Sequence, residues 1–253
     1  MFTYPSSRPL LFAHRGASAH APENTLPAFA LAAEMGADGV ELDVQITADG
    51  KLIIRHDRVL GRTENADGAV RDWSFEDLRA LDVGSWFDAS FAGTQMPTPE
   101  EVVELAGNRL LLNFDVVNDS PKLDGVETLM VALFQRLNLF DRAMISSFNP
   151  RVLWSVRKQE PRIMIGATWG AFLPWYLRWG WWRRLLRPDA LHPSFDLVTP
   201  ELVARTHARG QRLHAWTVNE PADIARMKAV GVDMIMGDWV DRLVASGRVD
   251  KNA

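Results

Sequence analysis

The chain has 253 residues, 47% of them hydrophobic and 24% charged, with a formal net charge of −4 and no cysteine. This composition describes a globular protein with room for a sizeable core. It excludes disulfides, thiolate zinc sites and cysteine nucleophiles, and it gives no electrostatic pull toward nucleic acid, so no nucleic-acid partner is expected.

The first residues, MFTYPSSRPLLFAHRG, lack a basic stretch followed by a long apolar one, so no signal peptide is expected. No uncharged apolar run approaches the roughly 18 residues that a membrane span needs. A cytoplasmic location is the expectation.

In chain order, short apolar and β-branched runs predict strands over 10–14, 40–45, 52–56, 110–117, 144–148, 163–168, 191–193, 213–218 and 232–236. Helical periodicity lies between most of them, over 25–35, 99–106, 123–137, 200–208 and 221–230. Alternating β and α predicts a parallel sheet, and at this length a closed TIM-like (β/α)8 barrel, read as one domain over 1–253. Nine strand-like runs exceed eight staves by one. The Ala48-Asp49-Gly50 turn is too short for a crossover helix, so 40–45 and 52–56 should form an antiparallel hairpin. Residues 58–98, rich in Gly, Asp and small side chains, read as an inserted lobe beside the barrel mouth, within the same domain.

Strand period places Glu41 and Asp43 on one face. Barrel strands are buried on both sides, so two carboxylates there are costly unless a positive charge sits between them. Either the face is solvated or the pair holds a hard cation, Mg²⁺ or Ca²⁺. Asp115 interrupts another apolar strand and is either a third carboxylate of this group or a strand-end turn residue. His14 and His56 end the first and third runs, where barrel enzymes place catalytic groups, and imidazoles suit acid–base work near neutral pH. Arg15 suits bidentate phosphate binding. Glu23-Asn24-Thr25 reads minimally as a helix cap. Trp216, at a late strand end, is core packing or a substrate wall. His20, His192, His207 and His214 have less to recommend them.

Taken in order, Ala13-His14-Arg15-Gly16, Pro22-Glu23-Asn24-Thr25, Glu41-Leu42-Asp43, His56-Asp57, Ser146-Ser147-Phe148, His192-Pro193, Trp216-Thr217-Val218-Asn219 and Gly231-Val232-Asp233 resemble the glycerophosphodiester phosphodiesterase family, from about residue 10 to about 243. The resemblance implies a TIM barrel with a small insertion after the third strand. It implies hydrolysis of glycerophosphodiesters to an alcohol and glycerol 3-phosphate with one divalent cation, Mg²⁺ or Ca²⁺. Residue by residue it implies Glu41, Asp43 and Asp115 as metal ligands, His14 and His56 as the acid–base pair, and Arg15 as the phosphate clamp. Three departures stand out: Asp115 where the family usually has Glu, Val117 where it usually has Lys, and Gly237-Asp238-Trp239-Val240 where it tends to have Thr-Asp-x-Pro. Lys122 is a candidate substitute for the missing lysine. The last departure is expected to touch the barrel floor or rim more than the chemistry.

Half of the ten tryptophans fall within 169–182, a second interruption of the rhythm that spans 169–188. If 174–187 is helical, a 100° step gathers Trp175, Leu177, Trp179, Trp181, Trp182, Leu185 and Leu186 on one arc, with Arg183, Arg184 and Arg187 opposite. That suits an interfacial helix, a lid or an oligomer contact. A small-molecule substrate, a lysophospholipase D or sphingomyelinase D-like action on lipid met through peripheral membrane contact at 171–187, and a catalytically weakened barrel that binds lipid or protein are the readings left open, the last supported only by Val117.

Overall fold

The computed structural model describes residues 3–5, 7–118, 120, 122–174 and 181–247. Eight parallel strands close into a barrel: β1 (Leu10–His14), β2 (Gly39–Ile46), β4 (Leu111–Val116), β5 (Ala143–Ser147), β6 (Met164–Trp169), β7 (Ala190–Pro193), β8 (Arg212–Ala215) and β9 (Met234–Gly237). Closure comes from β1, which pairs in parallel with both β9 (Leu10 opposite Met234) and β2 (Phe12 opposite Gly39). The ninth strand, β3 (Leu52–Ile54), lies outside and pairs antiparallel with β2, Val44 opposite Ile54, as the tight turn requires.

Among the described residues, helices fill the connections: α1 (Leu26–Glu34), α2 (Phe75–Arg79), α3 (Pro99–Ala106), α4 (Val126–Leu137), α5 (Pro150–Gln159), α6 (Trp181–Leu186), α7 (Pro200–His207), α8 (Pro221–Val230) and α9 (Val240–Gly247). Their starts are encoded locally. Thr25 caps α1, its hydroxyl accepting from the Ala28 N–H, and Thr98 with Glu101 forms a capping box on α3.

Alternation divides each strand between two layers. Outward residues such as Val40, Leu42, Phe114 and Ile145 join the helices in one continuous core. Inward residues Phe12, Met144, Met164, Met234 and Met236 fill the lower lumen. Gly39 is needed because Phe12 lies across it: a Cβ there would meet Phe12 Cζ at 2.5 Å and the Leu111 carbonyl at 2.6 Å. Gly39→Ala is therefore expected to cost about 1–3 kcal/mol, as over-packing does, read as a lower urea midpoint with unchanged slope.

The segment between β3 and α3 carries α2 and two short 3₁₀ turns, over Val70–Asp72 and Ala89–Phe91. It has its own apolar cluster of Ile53, Leu60, Val70, Leu78, Val83 and Met96. A buried pair, Arg55 with Glu64 at 2.6 Å, ties it to the end of β3.

Of the helix predicted over 174–187, the described residues show Trp181–Leu186 as helical. In this α6, Trp182 and Leu186 are buried in the main core and Leu185 is exposed. Arg183 stacks on Trp169 at 4.0 Å and on Trp182 at 5.6 Å, so it lies among the tryptophans and not opposite them. Packing against the barrel takes Trp182 and Leu186 inward and leaves Leu185, of the same predicted arc, exposed. Trp175, Leu177 and Trp179 lie outside the described residues. Among the described residues no helix is long and apolar enough to cross a membrane.

Candidate active site

The upper lumen changes character. Continuing the inward register of the strands past the methionine layer gives His14 on β1, Glu41 and Asp43 on β2, Asn113 and Asp115 on β4, Ser146 on β5, Thr168 on β6 and His192 on β7. All of them line one cavity of about 580 Å³ at the C-terminal ends of the strands, together with Arg15, His56 and Trp216. His14, Arg15, Glu41, Asp43, His56, Asp115 and Trp216, all singled out in the sequence, are brought to this one place, and Lys122 is not.

Each histidine is held by a carboxylate. His14 Nδ1 lies 2.7 Å from Asp238 Oδ1. Asp238 in turn accepts from Asn219 Nδ2 (2.7 Å) and the Ser18 hydroxyl (3.2 Å). Burial works to raise the Asp238 carboxyl, but these bonds from His14, Asn219 and Ser18 outweigh it and hold it at about 2. An ionised Asp238 accepts the Nδ1 proton, which leaves Nε2 facing the cavity, 3.9 Å from Glu41 Oε2. His56 Nδ1 lies 2.7 Å from Asp57 Oδ1. Burial raises the Asp57 carboxyl too, and its bonds with Arg62 and His56 bring it below its ordinary range.

Arg15 sits in the left-handed region (φ 60°), and Gly16 follows with φ 83° because the loop runs against Ala28 of α1. The Arg15 N–H donates to the Glu41 carbonyl (2.9 Å) and to its Oε2 (3.2 Å). Its guanidinium donates to Glu23 (2.9 Å) and lies 3.4 Å from Asp43. Glu23 also holds Arg62, at 2.6 Å, and so joins the inserted segment to the mouth. Asn24, also left-handed (φ 56°), donates to Asp43 Oδ2 at 2.7 Å and accepts from the Asp43 N–H. The helix-cap reading of this segment is right for Thr25 and incomplete for its two neighbours.

Glu41, Asp43 and Asp115 are nearly solvent-free. Asp115 stands opposite Asp43 in the β2–β4 register and accepts from the hydroxyls of Ser146 (2.6 Å) and Thr168 (3.3 Å). Burial, with Asp43 and Asp115 adding to it, pushes Glu41 well up. Burial and Asp43 push Asp115 up to about 6, despite Ser146, His56 and Thr168. Three crowded carboxylates face one nearby guanidinium, so the site carries surplus negative charge. Beside them the buried Asn113 Oδ1 has no hydrogen-bond partner. Among the described residues no three acid or imidazole groups already converge as a closed ligand cluster. The donor chemistry itself, all oxygen and anionic with a spare carbonyl, fits a hard divalent cation.

Two expectations change. Asp238, in the departure assigned to the floor or rim, lies against His14. The contact follows from barrel closure, which places the end of β9 beside the end of β1. Lys122 is exposed and not in the cavity wall, where Val117 and Asn118 stand, although its carbonyl accepts from Asn118 Nδ2 at 3.3 Å. The remaining histidines divide by burial. His192 and His214 bond to each other at 2.8 Å, and burial drives both well below the ordinary imidazole range, His192 to about 3. His207 pairs with Asp233 away from the cavity, and His20 packs edge-on against Trp239.

The sequence matches the glycerophosphoryl diester phosphodiesterase family over residues 14–242. The chain belongs to that family. It is 39% identical over 240 residues to a glycerophosphodiester phosphodiesterase of Caldanaerobacter subterraneus subsp. tengcongensis, covering 93% of this chain and 96% of the relative. It is 34% identical to one of Bacillus altitudinis, covering 92% and 96%. Its fold superposes with a TM-score of 0.83 and 27% identity on an Oleispira antarctica phosphodiesterase solved in complex with the product sn-glycerol-3-phosphate, covering 96% of this chain and 98% of the other. Membership of this family of enzymes is consistent with a lumen whose carboxylates sit at the C-terminal ends of the strands.

Proposed function

We propose that the chain hydrolyses glycerophosphodiesters to glycerol 3-phosphate and an alcohol, with Glu41, Asp43 and Asp115 holding one divalent cation, Mg²⁺ or Ca²⁺. The observation that carries this reading is the pair of carboxylate-held histidines facing one cavity with three buried acids and Arg15. When bound, the cation supplies positive charge that offsets the acids and stabilises negative charge developing on the phosphoryl oxygens. His14 Nε2 takes the proton of the glycerol 2-hydroxyl as that oxygen bonds to phosphorus. His56 gives a proton to the departing alcohol oxygen. Water then opens the cyclic phosphate with the two roles reversed. Arg15, fixed by Glu23, adds charge at the phosphoryl oxygens.

Asp238→Asn tests the His14 assignment. The amide can donate to Nδ1 and so place the ring proton on Nε2, which disables the base. The expected result is a kcat lower by about 10²–10⁴-fold with KM little changed. An unchanged kcat would remove Asp238 from the account.

A second substrate class is favoured by the apolar wall. Phe148, Phe172 and Trp216 form an edge-on cluster with centroids 5.5–6.4 Å apart, Val117 lies nearby, and Phe172 is 70% exposed. Such a wall suits a lysolipid acyl chain or another apolar group on the leaving side. Comparing kcat/KM for glycerophosphocholine and lysophosphatidylcholine, in wild type and Phe172→Ala, separates the two. A selective loss on the lysolipid supports it as substrate; no lysolipid turnover in wild type leaves the soluble diester alone.

A further inference from the structure

A second cavity, of about 710 Å³, lies outside the mouth between α6, α7 and the turn after α7. Among the described residues its wall runs from Trp169 at the end of β6 through α6 to Gln211 before β8. Five arginines line it: Arg183 and Arg184 from α6, Arg187 just beyond, Arg205 from α7 and Arg209 from the turn. On a chain of net charge −4 this is a local reversal of sign. The carboxylate in the wall, Asp189, is already engaged from outside by Arg157 at 2.5 Å and by the Ile165 N–H at 2.8 Å. Among the described residues that line the cavity, Asp189 is the only carboxylate, and Glu201 on α7 lies near Arg205. Stacking on Trp169 and Trp182 fixes the Arg183 plane before any ligand arrives.

We infer that this cavity is an anion site for a phosphate group carrying two negative charges, gripped by the guanidinium forks of Arg183, Arg205 and their neighbours. Guanidinium geometry matches phosphate oxygens in pairs, and a site of about 710 Å³ has room for a phosphate group and whatever carries it. The group is presented either by free phosphate or by a phosphomonoester lipid headgroup.

The test uses calorimetry with inorganic phosphate, and co-sedimentation with phosphatidylcholine vesicles with and without phosphatidic acid. The whole chain is compared with the double variant Arg205→Glu, Arg209→Glu, both of whose sites are exposed, and with Arg205→Ala, Arg209→Ala in case the charge reversal disturbs folding. Wild type should bind, and each double variant should bind at least about 10-fold more weakly, as loss of charged hydrogen bonds implies. Turnover of glycerophosphocholine should be unchanged in both. Arg15→Ala, which alters only the mouth, should keep the phosphate binding. Binding to phosphate alone assigns a soluble ligand, and binding to phosphatidic acid vesicles as well assigns a headgroup. No binding by wild type in either arm, double variants that bind like wild type, or loss in Arg15→Ala alone would overturn the inference.

Discussion

His14→Ala is expected to lower kcat on glycerophosphocholine by about 10²–10⁴-fold, the range for losing a general acid–base group. The loss should fall on kcat more than KM, since the imidazole acts on a proton in flight and Arg15 remains to bind phosphate. Stability should change little. His14 is only half-buried, and Asp238 keeps its bonds from Asn219 and Ser18 when the ring is gone. Circular dichroism and a thermal scan beside the kinetics distinguish this from misfolding. A variant with native stability and near-native kcat would remove His14 from the reaction. His56→Ala should behave alike on substrates with a poor leaving alcohol, and less severely where the alcohol leaves without a proton.

Glu41→Gln should move activity and stability in opposite directions. With Glu41 a cation ligand as proposed, losing its charge should cost about 10²–10³ in kcat, the scale for one electrostatic contact to the transition state. In EDTA the same change should raise the melting temperature at pH 7. Burial and the charges of Asp43 and Asp115 penalise ionised Glu41 in the folded chain, and an amide of the same shape removes the penalty. The pH dependence has a fixed sign. Asp115 is raised to about 6 in the folded protein, against an ordinary value of about 3.9. Its contribution to stability is therefore fully present below the unfolded value and is lost as pH rises through about 6. Metal-free protein should melt progressively lower across that window, and Mg²⁺ or Ca²⁺ should restore the loss by binding the folded form. A Glu41→Gln protein that melts lower than wild type in EDTA at pH 7 would show that the three acids do not repel as described.

Local periodicity explains what could be read from the sequence. Glu41 and Asp43 share a face by strand period, the Ala48-Asp49-Gly50 turn forces an antiparallel β3, and His14 and His56 fall at strand ends. Contacts between distant segments were not legible. Asp238 meets His14 across 224 positions only because β9 closes against β1. Asp115 opposes Asp43 only through the β2–β4 register. Asn24 and Glu23 look like capping residues because their sequence neighbour caps a helix; their own partners, Asp43, Arg15 and Arg62, come from three separate segments. In the tryptophan-rich stretch a helical wheel groups side chains without saying which part of the arc the core will take, and the barrel took Trp182 and Leu186.

The central claim is cation-dependent cleavage of a glycerophosphodiester at the acid–histidine cavity. Its most direct test is a phosphorus-31 spectrum of glycerophosphocholine incubated with the wild-type protein, first with Mg²⁺ or Ca²⁺ and then after EDTA. The expected result is conversion of the diester signal to that of glycerol 3-phosphate with the cation, arrest in EDTA, and recovery when the cation is returned. A diester signal that stays constant with either cation, or that disappears equally fast in EDTA, would contradict the account.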